Sequence, residues 1–283
     1  MMIILLLLLI IIIYVVYSMV YLNQRVYVAN YKIETDFADD FRIIQLTDLH
    51  DKQFGIDNED LIQRVKENNP DIIVMTGDMI NQDNQDPSDL CQFIEKISYI
   101  APVYYSYGNH EYGWERNWGE DLTSLIEKSG ATVLKHEYID TNIKGNTVRI
   151  GGYYGYYRRP HMVSEDKEYY KAEEDFCNSF EDTDKYKILL CHIPTTWLDW
   201  NCIDDYPIDL IFCGHYHGGI IRIPFIEQGV YAPYVGWFPP YTKGIFKGEE
   251  ATCILSTGLG EEHKLPRINN PPEIVFLELL ANN

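Results

Sequence analysis

Basic side chains are scarce in this sequence: 23 Lys and Arg stand against 43 Asp and Glu, a net charge of −20 over 283 residues. A nucleic-acid partner is therefore not expected, because phosphate backbones are held chiefly by clustered Lys and Arg. The excess of acid describes a soluble, self-repelling surface. Cysteine is sparse as well, and its spacing forms no framework. Of the six, Cys191, Cys213 and Cys253 lie inside apolar runs, as buried thiols do. There is no internal repeat, and no low-complexity tract follows the first 22 residues.

Charge is missing altogether from residues 1–22, whose centre reads IILLLLLIIIIYVV. About 20 apolar residues span a ~30 Å hydrocarbon core. A cleaved signal peptide calls for a basic start, a shorter apolar run and small residues at a cleavage site, and none is evident. The segment predicts a single-pass membrane anchor over 1–22, with Tyr14, Tyr17 and Tyr21 towards its wetter end. Arg25, Lys32 and Arg42 follow it while only the amino terminus precedes it. By the positive-inside rule the location leans towards a cell-membrane protein with a cytoplasmic domain.

Residues 23–40 read as a polar linker or an entering strand, ahead of the domain sequence over 41–283. Five apolar runs end in polar residues: FRIIQLTDLH (41–50), DIIVMTGD (71–78), PVYYSYGNHE (102–111), KILLCH (187–192) and IDLIFCGHYH (208–217). Helices are predicted from near Asp57 to Asn69, from Pro87 to about Ser98, and from about Glu120 to Ser129 with Gly130 as the stop. Strand and helix in alternation imply parallel strands with right-handed crossovers. In such sheets ligands sit beyond the carboxyl ends of the strands. Later runs, TVRIGGYY, GGIIRIP, TCILSTG and EIVFLELL, predict more strands in a second sheet packed on the first. Residues 164–180 predict one more helix, capped by Ser164.

The strand ends carry Asp48, His50, Asp78, Asn109, His110, His192, His215 and His217. One histidine at a strand end is more often a satisfied surface or core residue than a ligand. The alternate pair His215 and His217 could serve a metal, a proton relay or neither. Five of the eight histidines at one expected rim, with carboxylates and an amide beside them, point to a metal centre. Gly77, Gly108 and Gly214 each precede a candidate ligand, where a sharp turn is expected.

In order, DLH, GD, GNHE, CHIP and GHYH resemble the D-x-H, GD, GNH[ED], H and GHxH series of the calcineurin-like metallophosphoesterases. STGLG and LPRINNPPEI are similar to the membrane-associated bacterial branch with YkuE-like and YaeI-like phosphodiesterases. The resemblance covers roughly 42–280. It departs at Tyr216 and Ile220, where that branch usually has Thr and Gln, which puts substrate contacts in question rather than metals.

The resemblance implies an α/β fold, a four-layer αββα sandwich of two mixed sheets flanked by helices. It implies two divalent transition-metal ions, with Asp48, His50 and His217 on one, Asn109, His192 and His215 on the other, and Asp78 bridging. Such a pair lies roughly 3.5–4 Å apart and holds a bridging hydroxide at neutral pH. Carboxylate, imidazole and amide ligands suit Mn, Fe or Zn better than Mg or Ca. His110 is implied to be catalytic without binding metal: it faces the leaving group. GDMINQ lacks the acid and Arg of the GDxVDRG motif, which counts against a phosphoprotein phosphatase.

Arg158, Arg159 and His161, after four tyrosines, are candidates for gripping a phosphate. The competing reading is a Tyr-rich loop over the second sheet. GWFPPY at 236–241 reads as a hydrophobic lip near the membrane or as ordinary packing. The expected substrate is a phosphodiester or pyrophosphate, with lipids favoured by the anchor. A phosphomonoesterase and a metal-binding scaffold without activity are the alternatives.

Overall fold

The computed structural model describes residues 1–157, 167–261 and 265–282, with the backbone alone for 167–170. The apolar amino-terminal run forms helix α1 (Met2–Val20), in which only Ser18 is buried. Strand β1 (Tyr27–Thr35) follows, so half of the segment read as linker or strand is a strand. Then come β2 (Phe41–Leu46), α2 (Glu59–Glu67), β3 (Ile72–Thr76), α3 (Ser88–Ser98) and β4 (Val103–Ser106). Next are α4 (Asn109–Trp118), α5 (Leu122–Lys128), β5 (Ala131–Val133), β6 (Glu137–Ile143) and β7 (Asn146–Tyr153). The chain continues through α6 (Lys167–Glu181), β8 (Tyr186–Cys191) and β9 (Leu210–Cys213). It closes with the short hairpin β10 (Tyr231–Ala232) and β11 (Gly236–Trp237), then β12 (Gly244–Lys247), β13 (Thr252–Leu255) and β14 (Glu273–Ala281).

Two six-stranded sheets form, in the orders β1-β14-β2-β3-β4-β5 and β12-β13-β9-β8-β7-β6. Their central strands run parallel, and β14 lies antiparallel to β2, so both sheets are mixed. β14 is thus an inserted strand of the first sheet, not part of the second as its place late in the chain suggests. The GGIIRIP run does not become a strand. Gly218, Gly219 and Ile220 take positive φ there, and only isolated bridges from Ile221 and Arg222 remain.

The layers follow from the two-residue period of the strands. Ile44, Leu46, Ile73 and Met75 face α2, α3 and α5 through Leu61, Val65, Ile94 and Ile126. Their neighbours Ile43, Ile72 and Val74 face the second sheet and meet Ile188, Leu190, Leu210 and Phe212. On that sheet's far side Leu189, Cys191 and Ile211 cover Phe176 and Phe180 of α6. The architecture is the expected four-layer α/β sandwich. α4 is an addition to the expectation: its chain begins at Asn109, inside the GNHE motif.

Candidate metal centre

Each candidate ligand stands just past a strand: Asp48 and His50 after β2, Asp78 after β3, Asn109 after β4, His192 after β8, His215 and His217 after β9. The first three strands belong to one sheet and the last two to the other, so the site is shared by two facing rims rather than one. Asp48, His50, Asp78, His215 and His217 all have φ between 46° and 73°. Side chains rarely adopt that left-handed region, and strain of this kind clusters at functional sites. The turns aim the side chains inward.

Gly77 meets the expectation of a sharp turn, with φ of +88°. Gly108 and Gly214 do not, and are needed for another reason. A Cβ on Gly108 would lie 2.2 Å from Asp78 Oδ1, and one on Gly214 would lie 2.4 Å from Asp48 Oδ2. These glycines make room for the carboxylates.

Metal-ligating atoms converge in three overlapping sets, Asp48–His50–His217, His50–Asp78–His110 and Asp78–His192–His215, with all atoms of a set within 4.8 Å of one another. Asp78 Oδ2 lies 3.1 Å from His192 Nε2 and 3.9 Å from His50 Nε2. Asp48 Oδ1 lies 3.6 Å from His217 Nε2. His192 Nε2 approaches His215 Nδ1 at 3.1 Å. Two buried atoms, His50 Nε2 and Asn109 Oδ1, have no hydrogen-bond partner among the described residues. Unsatisfied buried polar atoms are costly, and cations beside them would satisfy both. The donor set therefore fits divalent ions.

Hydrogen bonds fix which ring nitrogen is offered. His50 Nδ1 donates to Asn81 Oδ1 at 2.9 Å, while the Asn81 amide returns a bond to His50 O at 2.9 Å. His192 Nδ1 donates to Thr76 O at 2.7 Å. Both rings thereby turn Nε2 towards the centre. His110 is the reverse case, since Gln82 N–H donates to its Nδ1 at 3.2 Å. Its neutral ring then carries the proton on Nε2.

Burial drives His50 down to about 4, His215 down to about 3 and His217 well below its usual value. Those imidazoles keep their lone pairs free at neutral pH. His192 differs: burial would lower it, but the Asp78 and Asp48 carboxylates outweigh that and raise it to about 10. Burial raises Asp48 to about 6. It also opposes ionisation of Asp78, but the neighbouring His192 wins and holds that carboxyl well below its usual range.

Several supporting residues carry no motif of their own. Glu111, fully buried, accepts from the backbone N–H groups of Asp78 (2.9 Å), Met79 (2.8 Å) and Gly108 (2.8 Å), and from Tyr105 OH (2.7 Å). It sits inside the GNHE motif, where no local pattern marks its task. Arg267, also buried, donates to Gly260 O (2.6 Å) and Thr257 O (2.6 Å) and lies 3.4 Å from His217 Nδ1. Asn270 holds His217 O at 2.7 Å. The motif LPRINNPPEI contains both residues, fifty or more positions from the histidine they support.

A cavity of about 580 Å³ opens beside His50 and His110, walled by Gln24, Lys52, Asn117 and Glu261. Lys52 Nζ lies 3.8 Å from Glu261, and burial lowers the amine to about 8. Tyr216, one of the two departures, is buried under the second sheet, with Thr195 Oγ1 2.8 Å from its hydroxyl. It is therefore a packing residue, and Ile220 is buried too. Tyr153 and Tyr157 of the Tyr-rich run belong to the same core. Arg158, Arg159 and His161 lie outside the described residues.

Comparison with known proteins agrees with this geometry. The curated relatives include the metallophosphoesterase YkuE of Bacillus subtilis (strain 168), 27% identical over 251 residues, covering 87% of this chain and 81% of that protein. The phosphodiesterase YaeI of Escherichia coli (strain K12) is 28% identical over 253 residues, covering 87% and 84%. The metallophosphoesterase YkoQ of Bacillus subtilis (strain 168) is 24% identical over 245 residues, covering 84% and 83%. A profile of the calcineurin-like phosphoesterases matches residues 41–219, which hold every candidate ligand. The chain belongs to the calcineurin-like phosphoesterase family and is a metal-dependent phosphoester hydrolase.

Proposed function

We propose that the protein is a membrane-anchored phosphodiesterase with two divalent transition-metal ions, acting on phosphodiester or pyrophosphate bonds of amphiphilic substrates. The observation that carries the two-ion reading is the overlap of the ligand sets through Asp78 and His50. A single ion takes about four ligands in a tetrahedral site, and these sets offer more than that. In this reading Asp48, His50 and His217 hold one ion, Asn109, His192 and His215 the other, and Asp78 serves both. Mn, Fe or Zn suits this donor mixture. When bound, the ions supply an activated water and neutralise charge on the phosphoryl oxygens.

The chain's own residues do the rest. His110 faces the cavity with its Nε2 proton, placed to donate a hydrogen bond to a departing alkoxide oxygen. Lys52 offers a cation to a second anionic group, as a pyrophosphate carries. Asn81, Thr76 and Arg267 hold the imidazoles in orientation.

α1, 19 residues long, is about 28 Å by its rise per residue, close to a hydrocarbon core. Its side chains are almost all exposed, which suits an anchor better than a core helix. Arg25 lies 4.2 Å over the Tyr21 ring at the helix exit, and we place this end on the cytoplasmic side of the cell membrane.

The test is turnover by the full chain, stripped of metal and then supplied with Mn²⁺, on soluble monoesters, soluble diesters and a phospholipid diester. Metal-dependent hydrolysis of the diesters supports the reading. A preference for monoesters would favour a phosphomonoesterase instead.

A further inference from the structure

The carboxyl-terminal third of α1 is fastened to the catalytic domain. Tyr14 OH donates to Asn269 Oδ1, and Asn269 N–H donates to Ser18 Oγ at 2.6 Å. Beyond the helix, Asn23 donates to Glu261 (3.0 Å) and to Arg267 O (3.1 Å). The domain therefore lies against the helix from residue 14 onward. Residues 2–13 alone measure only about 18 Å, far short of a ~30 Å hydrocarbon core. For α1 to span, residues 14–20 must be inside the membrane as well, and the loop fastened to them must then lie at the membrane surface.

That loop has a partner with an apolar tip. Asn269 donates to Arg222 O at 3.1 Å, and Ile221 bridges Ile268, which ties the 222–229 turn to the same place. The turn presents Phe225, fully exposed, and Ile226, 66% exposed; Leu265, three residues before the bridged Ile268, is 50% exposed. Adjacent apolar side chains exposed together mark sites of protein or membrane contact. The only acid in the turn is Glu227. Burial lowers the pKa of Arg222 while the Glu227 and Glu273 carboxylates hold it up, so the turn carries its acid beside a cation.

We infer that the 222–229 turn and Leu265 enter the headgroup–acyl boundary of the bilayer beside α1, so that the metal cavity opens at the lipid surface. The inference rests on the proposed anchor. Interfacial elements of this kind sit about 5–10 Å into the boundary region. Gln24, four residues past the helix, walls the cavity at His50 and His110, which sets the site close to the helix exit. Asn23 and His217 contact the same residue, Arg267, so the anchor and the ligand share one support.

The test uses the full chain in phosphatidylcholine nanodiscs, with and without bromine on the acyl chains. The emission added by Phe225→Trp, relative to the unaltered protein, should be blue-shifted and quenched by the brominated lipid. Resistance to alkaline carbonate extraction is measured on the same protein in vesicles. Added emission that escapes quenching in an extraction-resistant protein overturns the inference and leaves the anchor standing. Extraction by carbonate overturns the anchor and the inference together. In a second variant, Phe225→Asp with Ile226→Asp, turnover of a vesicle-embedded phosphodiester should fall roughly tenfold or more, as expected when interfacial burial of two apolar side chains is lost. Turnover of soluble bis(nitrophenyl) phosphate should not change. Equal losses on both substrates, or none on either, overturn the inference.

Discussion

Replacing Glu111 with Gln tests how the Asp78 turn is held. The Glu111 carboxylate takes two donors on each oxygen: Asp78 N–H and Gly108 N–H on Oε2, Met79 N–H and Tyr105 OH on Oε1. A glutamine has one oxygen, so two of these donors would face an NH₂ group that cannot accept. A buried donor left without a partner costs about 1–3 kcal/mol, so two cost roughly 2–6 kcal/mol. At about 2–4 °C per kcal/mol, the melting temperature should drop by roughly 5–20 °C. The loss should also reach the metals, because the freed N–H groups belong to the turn that aims Asp78. Thermal unfolding with and without added Mn²⁺, and metal analysis of the purified variant, measure both effects. A melting temperature within 1–2 °C of the parent, below the smallest shift expected, with full metal content, would refute the claim that Glu111 braces the turn.

Further outcomes follow from the same geometry. His192 holds a proton in the metal-free protein, being raised to about 10, so metal binding near pH 8 should release about one proton. Affinity should therefore rise with pH up to that value, with a second proton released below Asp48's value of about 6; calorimetry in buffers of different ionisation enthalpy reads the number. His110→Asn should keep its metal and lose ~10²–10³ in turnover on alkyl diesters, with a smaller loss on nitrophenyl esters, whose leaving oxygens need less stabilisation. Metal loss alongside activity would make His110 a ligand. Gly108→Ala places a Cβ 2.2 Å from Asp78 Oδ1, and should reduce metal content more than Gly119→Ala, where no atom lies within 4 Å.

The candidate ligands were legible because each ends a short apolar run, and the strands are short enough that their ends coincide. The helix starting at Asn109 was not legible: GNHE reads as a strand end, and Gly113 interrupts the following pattern. The 218–224 run has strand-like residues, yet three successive positive φ values at Gly218, Gly219 and Ile220 prevent pairing. β14 could not be assigned to its sheet, since apolar alternation does not reveal which strand it will join. Glu111 and Arg267 were hidden for a related reason. Their partners are backbone groups and a histidine brought near by the fold, and such contacts leave no local spacing. Gly108 and Gly214 were noticed for the right chain positions but the wrong cause, since the carboxylates crowding them come from other strands.

The most direct test of the two-ion centre is metal content. The full-length protein, stripped by chelator and reconstituted with Mn²⁺ or Zn²⁺, should retain about two ions per chain and regain hydrolysis in step with them. Asp78→Asn should lose most of the bound metal, while the distant Glu181→Gln should lose none. One ion or none in a fully active protein, or equal retention in the two variants, would contradict the account.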